Sequence, residues 1–223
     1  MSETLKCRDV KQSRDAKMVF MNDQPRSYGG VDGALRVAQR RETLIEAGLE
    51  LMGSTEPELT VRGVCKKAGV AARYFYESFT DRDALMSAVY DTVITDIAVS
   101  TQAAVDAAET ERGKALAGIA NIVRTIANDP RRGRLLFSSA LTSPVLAEKR
   151  RASTTIFIGL LAANAKTFYR LDDSGHLTLT ATFLVGGLAQ TLSAWLDGYI
   201  DVTEEELVAE CAAILLAPAL PPS

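Results

Sequence analysis

Arg73, Tyr74 and Tyr76 fall within four residues of one another, and each carries a group able to recognise another molecule. A guanidinium presents a planar fork that suits bidentate bonding to guanine, worth about 1–3 kcal/mol of discrimination. A tyrosine hydroxyl suits a phosphate oxygen, which sets register without reading sequence. Arg82 follows shortly after, at the start of a further expected helix. There its charge adds to the N-terminal amides to make a phosphate-binding corner. Arg62, Ala71 and Ala72 complete the candidate nucleic-acid contacts.

These residues must be held by the elements around them. Residues 61–67 read as a helix with Thr60 as N-cap, Ala68-Gly69-Val70 as a tight turn, and 71–78 as a second short helix. A helix-turn-helix requires three things over such a span. A small residue must sit where the helices cross, and Cys65 supplies it. The turn needs a residue tolerant of positive φ, and Gly69 supplies it. Apolar residues must tie both helices to a third, and Val61, Val64, Val70, Phe75 and Phe79 have the spacing. With Phe75 inward, Arg73, Tyr74 and Tyr76 point out. The same pattern also suits two helices that merely pack, with Arg73 as a phosphate contact or a solvated surface charge.

The rest of the chain reads as helices with little strand signal. The first, 35–53, presents Leu44, Ile45, Gly48, Leu51 and Met52 as one apolar face. Thr80 with Asp83 is expected to form a capping box for a long helix ending near 108. Thr110 caps a helix ending at Asn128, and Asp129 with Pro130 opens the next. Ser143 with Pro144 repeats that device for a helix reaching about 171. A helix over 177–197 follows, and Thr203 with Glu206 forms a capping box for the last, which stops before Pro218. The expected fold class is all-α, about nine helices joined by short loops. The expected divisions are a flexible extension over 1–34, a helix-turn-helix domain over 35–82, a helical domain over 83–218 and a tail over 219–223.

Composition excludes several classes. The chain has 223 residues, 47% of them apolar, enough for a full core. Cys7, Cys65 and Cys211 are three cysteines without metal-ligand spacing, which argues for no disulfide framework and a reducing, cytoplasmic setting. His176, the one histidine, cannot build a metal site and suits a surface or interface. No nucleophile–base pair or phosphate loop points to an enzyme, and no cofactor is implied. Residues 174–196 hold no Asp, Glu, Lys or Arg and are long enough to span a bilayer. Thr178, Thr180, Thr182, Gln190 and Ser193, with acidic flanks, favour a buried helix instead. The net charge is −3, yet residues 1–82 hold 14 Lys/Arg against 12 Asp/Glu, which permits a DNA-facing first part. The basic residues of the N-terminal extension, Lys6 to Arg26, could follow a DNA groove or be inert.

The stretch from Thr60 to Val70, then Tyr74-Phe75-Tyr76, then Phe79-Thr80-Asp81-Arg82-Asp83-Ala84-Leu85, resembles the DNA-binding domain of tetracycline-repressor-like (TetR family) regulators. The resemblance is specific over 41–90 and architectural beyond it. It matches the family's turn to Ala68, Gly69 and Val70, its phosphate-touching tyrosine to Tyr76, its backbone-contacting threonine to Thr60 and its basic residue to Arg82. Ala71 stands where the family often has Ser, Arg73 where a small residue is common, and Ser78 where an aromatic or His precedes the closing Phe.

The resemblance implies a homodimer joined by the last two helices. Leu184, Leu188, Leu192 and Trp195, beside Gly186 and Gly187, would face Leu207, Cys211, Ile214 and Leu215. It also implies a small apolar or amphipathic effector held among the central helices. Phe137, Phe157, Phe168, Phe183 and Trp195 are candidate apolar contacts, with Asn164 and Gln190 as polar ones, although each also suits core packing. The expected function is therefore a repressor that binds a palindromic operator and is released by the effector. The alternative is a helical ligand-binding or adaptor protein without sequence-specific DNA binding.

Overall fold

A computed structural model describes residues 28–138, 142–169 and 175–217, without the side chains of 28–32 and 165–169. The N-terminal residues to Ser27, the Phe168 side chain and the tail beyond Ala217 lie outside the described residues. Nine helices account for the described fold: α1 (Tyr28–Met52), α2 (Val61–Ala68), α3 (Ala72–Ser78), α4 (Arg82–Asp106), α5 (Glu111–Asn128), α6 (Pro130–Phe137), α7 (Pro144–Tyr169), α8 (Gly175–Leu196) and α9 (Glu204–Leu216). No strand occurs among the described residues, so the all-α expectation holds.

Local cap chemistry sets most of the boundaries. Thr60, Thr110 and Thr203 accept from the backbone N–H of Gly63, Gly113 and Glu206, and Glu206 returns a bond to Thr203 N at 2.9 Å. Asp129 accepts from Arg131 N, with Pro130 at the first helical position. Ser143 Oγ accepts from Val145 N at 3.2 Å ahead of α7.

Two boundaries differ from expectation. The N-cap of α4 is Asp81, whose Oδ1 accepts from Ala84 N at 2.8 Å, while Thr80 only donates to Asp81 Oδ2 at 3.3 Å. Two adjacent capping residues compete there, and a carboxylate gains more from the helix N-terminus than a hydroxyl does. The other difference is α1, which begins at Tyr28 and so runs through Gly29, Gly30 and Gly33, read from sequence as a flexible link. Once the later turns of a helix are formed, each added residue brings a hydrogen bond without a new nucleus, and glycine weakens that extension without forbidding it.

Two apolar clusters organise the molecule. The first joins α1–α3 to α4, α6 and α7 through Leu44, Met52, Val64, Phe75, Leu85, Val89, Leu135 and Leu146. It runs without a break from the helix-turn-helix into the larger helical part. Within α1, Leu49 is buried and Leu51 is half-buried, reversing their expected order. The second cluster joins Ile119, Val123 and Ile126 of α5 to Leu192 of α8 and to Leu207 and Ala212 of α9. Close contacts tighten the seams. A Cβ on Gly48 would lie 2.8 Å from Val89 Cγ2, and one on Gly53 would lie 2.6 Å from the Arg131 backbone oxygen.

Candidate nucleic-acid interface and effector cavity

The helix-turn-helix is built as its residue types require. Gly69 caps α2 at φ 67°, ψ 27°, a left-handed conformation that would strain a side chain, and Val70 N donates to Cys65 O at 3.0 Å. Cys65 and Val64 are buried at the helix crossing. Burial pushes the Cys65 thiol up, so it stays protonated and acts as a small apolar group. Phe75 is fully buried, edge-on to Tyr76 and tilted against Phe79. Ala71 precedes α3 without any side-chain cap, so the missing serine leaves that helix start uncapped.

The outward face carries the expected groups in unequal states. Ala71, Ala72, Arg73 and Tyr76 are exposed, Tyr76 to 60%. Tyr74 is half-buried between two guanidinium groups, with Arg40 4.4 Å and Arg73 4.5 Å from its ring centroid. Arg73 Nη2 also donates to Tyr74 Oη at 2.6 Å, so its fork is folded back onto the neighbouring ring. Thr60 is exposed but spends its hydroxyl oxygen on the α2 cap. Arg62 is exposed, and Arg82 is exposed while paired with Asp83 at 3.1 Å.

Two arginines that sequence reasoning missed belong to this surface. Arg40 pairs with Glu77 at 3.4 Å besides stacking on Tyr74. Arg41 donates to Ser78 O at 3.0 Å and lies over the Phe79 ring. Both are separated by 37 residues from their α3 partners, and no local pattern signals the pairing. They fasten α3 to α1.

A second site lies among α4–α9. A cavity of about 990 Å³ is lined by α4 from Tyr90 to Val105 and by parts of α5, α7, α8 and α9. Phe137, Phe157, Asn164 and Gln190, expected as ligand contacts, do line it. Phe183 does not: it is 75% exposed on the opposite face of α8. Trp195 is also outside it, packed on the second cluster with Nε1 donating to Val202 O at 3.1 Å. Stripe spacing on an apolar helix places residues on a face but does not say which face turns inward.

One buried polar cluster lies at the Tyr90 end of the cavity. Tyr90 Oη and Ser153 Oγ are 2.7 Å apart and buried, and Ser153 donates to Arg150 O at 3.0 Å. Burial raises the Tyr90 pKa, against lowering by Ser153 and Arg150. Burial likewise lowers that of Arg150. Arg150 Nη2 donates to Leu135 O at 2.8 Å and Ser138 O at 2.7 Å, the C-terminal end of α6. Its Nε is buried without a hydrogen-bond partner.

The helix α6 joins this cavity to the helix-turn-helix. Arg131 binds Asp129 on its own helix and Glu46 of α1 at 2.7 Å, and Arg134 Nη1 donates to Gly53 O at 2.9 Å. Hydrogen bonds from Arg131 hold the Asp129 carboxyl below its ordinary pKa, and hydrogen bonds from Asp129 and Glu46 raise that of Arg131. Arg131 and Arg134 therefore bridge α6 to α1, while Arg132 pairs with Asp96 of α4 at 3.4 Å.

The expected dimer residues divide. Leu192 and Leu207 are buried within the single chain, so they are core residues and not interface residues. Leu184 and Leu188 line the cavity, and Cys211 and Leu215 pack against the second cluster. Ile214 is 58% exposed. Beside it stands an apolar α8 face that sequence reasoning did not assign, with Leu179 69% and Phe183 75% exposed. Open space surrounds Gly186 and Gly187. By length and composition alone, α8 is apolar enough to cross a membrane, at a mean hydropathy of 1.3. Among the described residues no cluster of His, Cys, Asp or Glu could hold a metal ion.

The short α1–α3 unit packed on six further helices is the fold of tetracycline-repressor-like transcriptional regulators. Among solved structures, the chain is similar to the fatty acid degradation regulator FadR from Bacillus halodurans, with 17% identity over 79% of this chain and 94% of that one, at a TM-score of 0.67. The transcriptional regulator FadR from Bacillus subtilis, solved in complex with stearoyl-CoA, gives 15% identity over 79% and 97% of the two chains at a TM-score of 0.65. A TetR-like transcriptional regulator from Rhodococcus sp. RHA1 gives 14% identity over 81% and 96% at 0.65. No protein-family model and no curated protein matches the sequence.

Proposed function

We propose that the protein is a cytoplasmic, non-enzymatic transcriptional repressor that binds a palindromic operator as a homodimer and leaves it when a small amphipathic effector enters the cavity. The observation that carries this reading is the exposed α3 face with Arg73 and Tyr76 outward over a fully buried Phe75. Thr60, Arg62, Tyr74, Tyr76 and Arg82 contact or support contact with the phosphate backbone, while Arg73 reads a base. To do so Arg73 must leave Tyr74, a cation–π contact of about 0.5–1 kcal/mol at an exposed site. A bidentate guanine contact of about 1–3 kcal/mol exceeds that.

The second copy sits on the open face of α8 and α9, formed by Leu179, Phe183, Gly186, Gly187 and Ile214. Two-fold symmetry then places two α3 helices about 34–36 Å apart, one turn of duplex. The effector is an amphiphile, because the cavity lining is mainly apolar and includes a buried polar cluster at Tyr90, Arg150 and Ser153. An acyl ligand, the class held by the Bacillus subtilis neighbour, is a suitable occupant.

The test is titration of labelled DNA from beside the gene, with scrambled duplex as competitor. Specific binding by the native chain and loss of about 1–3 kcal/mol of specificity in Arg73→Ala are expected. Equal affinity for both duplexes would defeat the proposal.

A further inference from the structure

The cavity has two chemically different ends. Tyr90 and Val105 both line it from α4, and fifteen residues at 1.5 Å each separate them by about 22 Å. Glu111 and Lys114 line it from the start of α5, just after α4 ends at Asp106, so they belong to the Val105 end. Asn121, about two turns further along α5, donates to Ser100 and Thr101, so the two helices run antiparallel. At the Tyr90 end, Arg150 is the charged side chain among the described lining residues.

A guanidinium has five N–H groups in a fixed fork, and the Nε–H and the adjacent Nη2–H form one bidentate edge. On Arg150 that edge is half used. Nη2 serves two carbonyls at the end of α6, while Nε is buried without a partner. A buried donor left unpaired costs on the order of a full desolvation penalty, so an acceptor arriving there is strongly favoured. The Tyr90 and Ser153 hydroxyls do not fill this need: they bond to one another at 2.7 Å, and Nε has no acceptor within reach.

Resting on the reading of a cavity-bound effector, we propose that the effector carries a carboxylate that binds side-on to Arg150 and draws Nη2 away from the α6 carbonyls. The apolar chain then extends along α4 toward Val105. The consequence travels through contacts already described: α6 loses its tie to α7 at Leu135 and Ser138, while its other end holds α1 through Arg131–Glu46 and Arg134–Gly53. Movement of α6 therefore moves α1 and the reading helix fastened to it by Arg40 and Arg41. The step is an exchange of hydrogen bonds, with no covalent change.

The experiment compares stearate, stearyl alcohol and stearoyl-CoA, three ligands sharing one chain, by displacement of a fluorescent fatty-acid probe from the full protein without DNA. Stearate is expected to bind about 10- to 100-fold more tightly than the alcohol, as one or two charge-assisted bonds imply. Arg150→Lys keeps the charge but loses the fork. It should weaken stearate about tenfold, leave the alcohol unchanged, and abolish stearate's release of operator DNA. Equal binding of stearate and alcohol to the native protein overturns the proposal, and that comparison stands even where the variant fails to fold. Preference for stearoyl-CoA with no loss in Arg150→Lys overturns it as well. Operator binding without ligand is measured separately: its absence, with stearate selectivity intact, sinks the repressor reading and leaves the head-group assignment standing.

Discussion

Gly53→Ala tests the seam between α1 and α6. Gly53 lies just beyond the end of α1, and a Cβ there would stand 2.6 Å from both Cβ and O of Arg131 and 2.7 Å from its Cα. Real Cβ atoms do not approach so closely, and the obstructing atoms are Arg131 backbone and the Cβ fixed to it, which cannot rotate aside as a side-chain tip would. The added methyl must therefore push α6 from α1, straining Arg131–Glu46 and the Arg134 bond to Gly53 O. Overpacking of this kind costs about 1–3 kcal/mol. Replacing glycine also removes unfolded-state entropy, an opposing gain of about 0.4–1 kcal/mol. The net expectation is a loss of about 1–2 kcal/mol, or about 2–8 °C in melting temperature for a chain of this size. Gly33→Ala is the control. Gly33 lies within α1 with nothing within 4 Å of its added Cβ, so it should gain about 0.5–1 kcal/mol as alanine replaces helical glycine. Circular dichroism melts of both variants decide the matter. If Gly53→Ala melts at or above the native protein, the close approach of α1 and α6 is wrong, and with it the route from cavity to reading helix.

Three further predictions follow from other contacts. Thr60→Ala should cost about 1 kcal/mol by losing the bond to Gly63 N, while Thr60→Ser should not; equal losses in chemical denaturation would remove the cap as the cause. Asp129 is held below its ordinary 3.8, first by the Arg131 hydrogen bond. A depressed carboxylate stabilises the fold above its unfolded pKa, and that contribution fades as pH falls through the folded value. The stability gap between native protein and Asp129→Asn should accordingly be full near neutrality and close below about pH 4; a gap independent of pH in melting experiments contradicts it. Finally, Phe183→Asp should convert the proposed dimer to monomer in analytical ultracentrifugation while leaving the fold intact, since the side chain is 75% exposed in the single chain. A variant that still sediments with the native species places the interface elsewhere.

What the sequence made legible was local chemistry. The caps at Thr60, Thr110, Asp129 and Thr203 were readable because a cap joins residues two or three apart and depends on type alone. Gly69 was readable for the same reason, since a left-handed turn favours one residue. Thr80 failed where Asp81 stood beside it with a stronger acceptor. Long-range pairs left no trace: Arg41 with Ser78, Arg134 with Gly53, and Arg150 with Tyr90 and the end of α6 meet only after the helices pack. Arg40 and Arg41 read as ordinary exposed charges on an amphipathic helix, and nothing in their spacing marks them as clamps on α3.

The exposed face of α8 follows a different logic. A helix apolar all round has no preferred side in a periodicity argument, so Leu192 and Phe183 look alike in sequence although one is 2% and the other 75% exposed. Such a helix must be covered on both sides. The protein covers one with Leu177, Ala181 and Leu192. For the other, a membrane and a second copy make different demands. A lone span would meet lipid on every side, whereas α8 packs on α6 and α7. A second copy needs only one face, and Gly186 and Gly187 leave room there for a helix backbone to approach closely. Gly186 and Gly187 make that face a good helix-packing surface, which supports the proposed partner of the same sequence there.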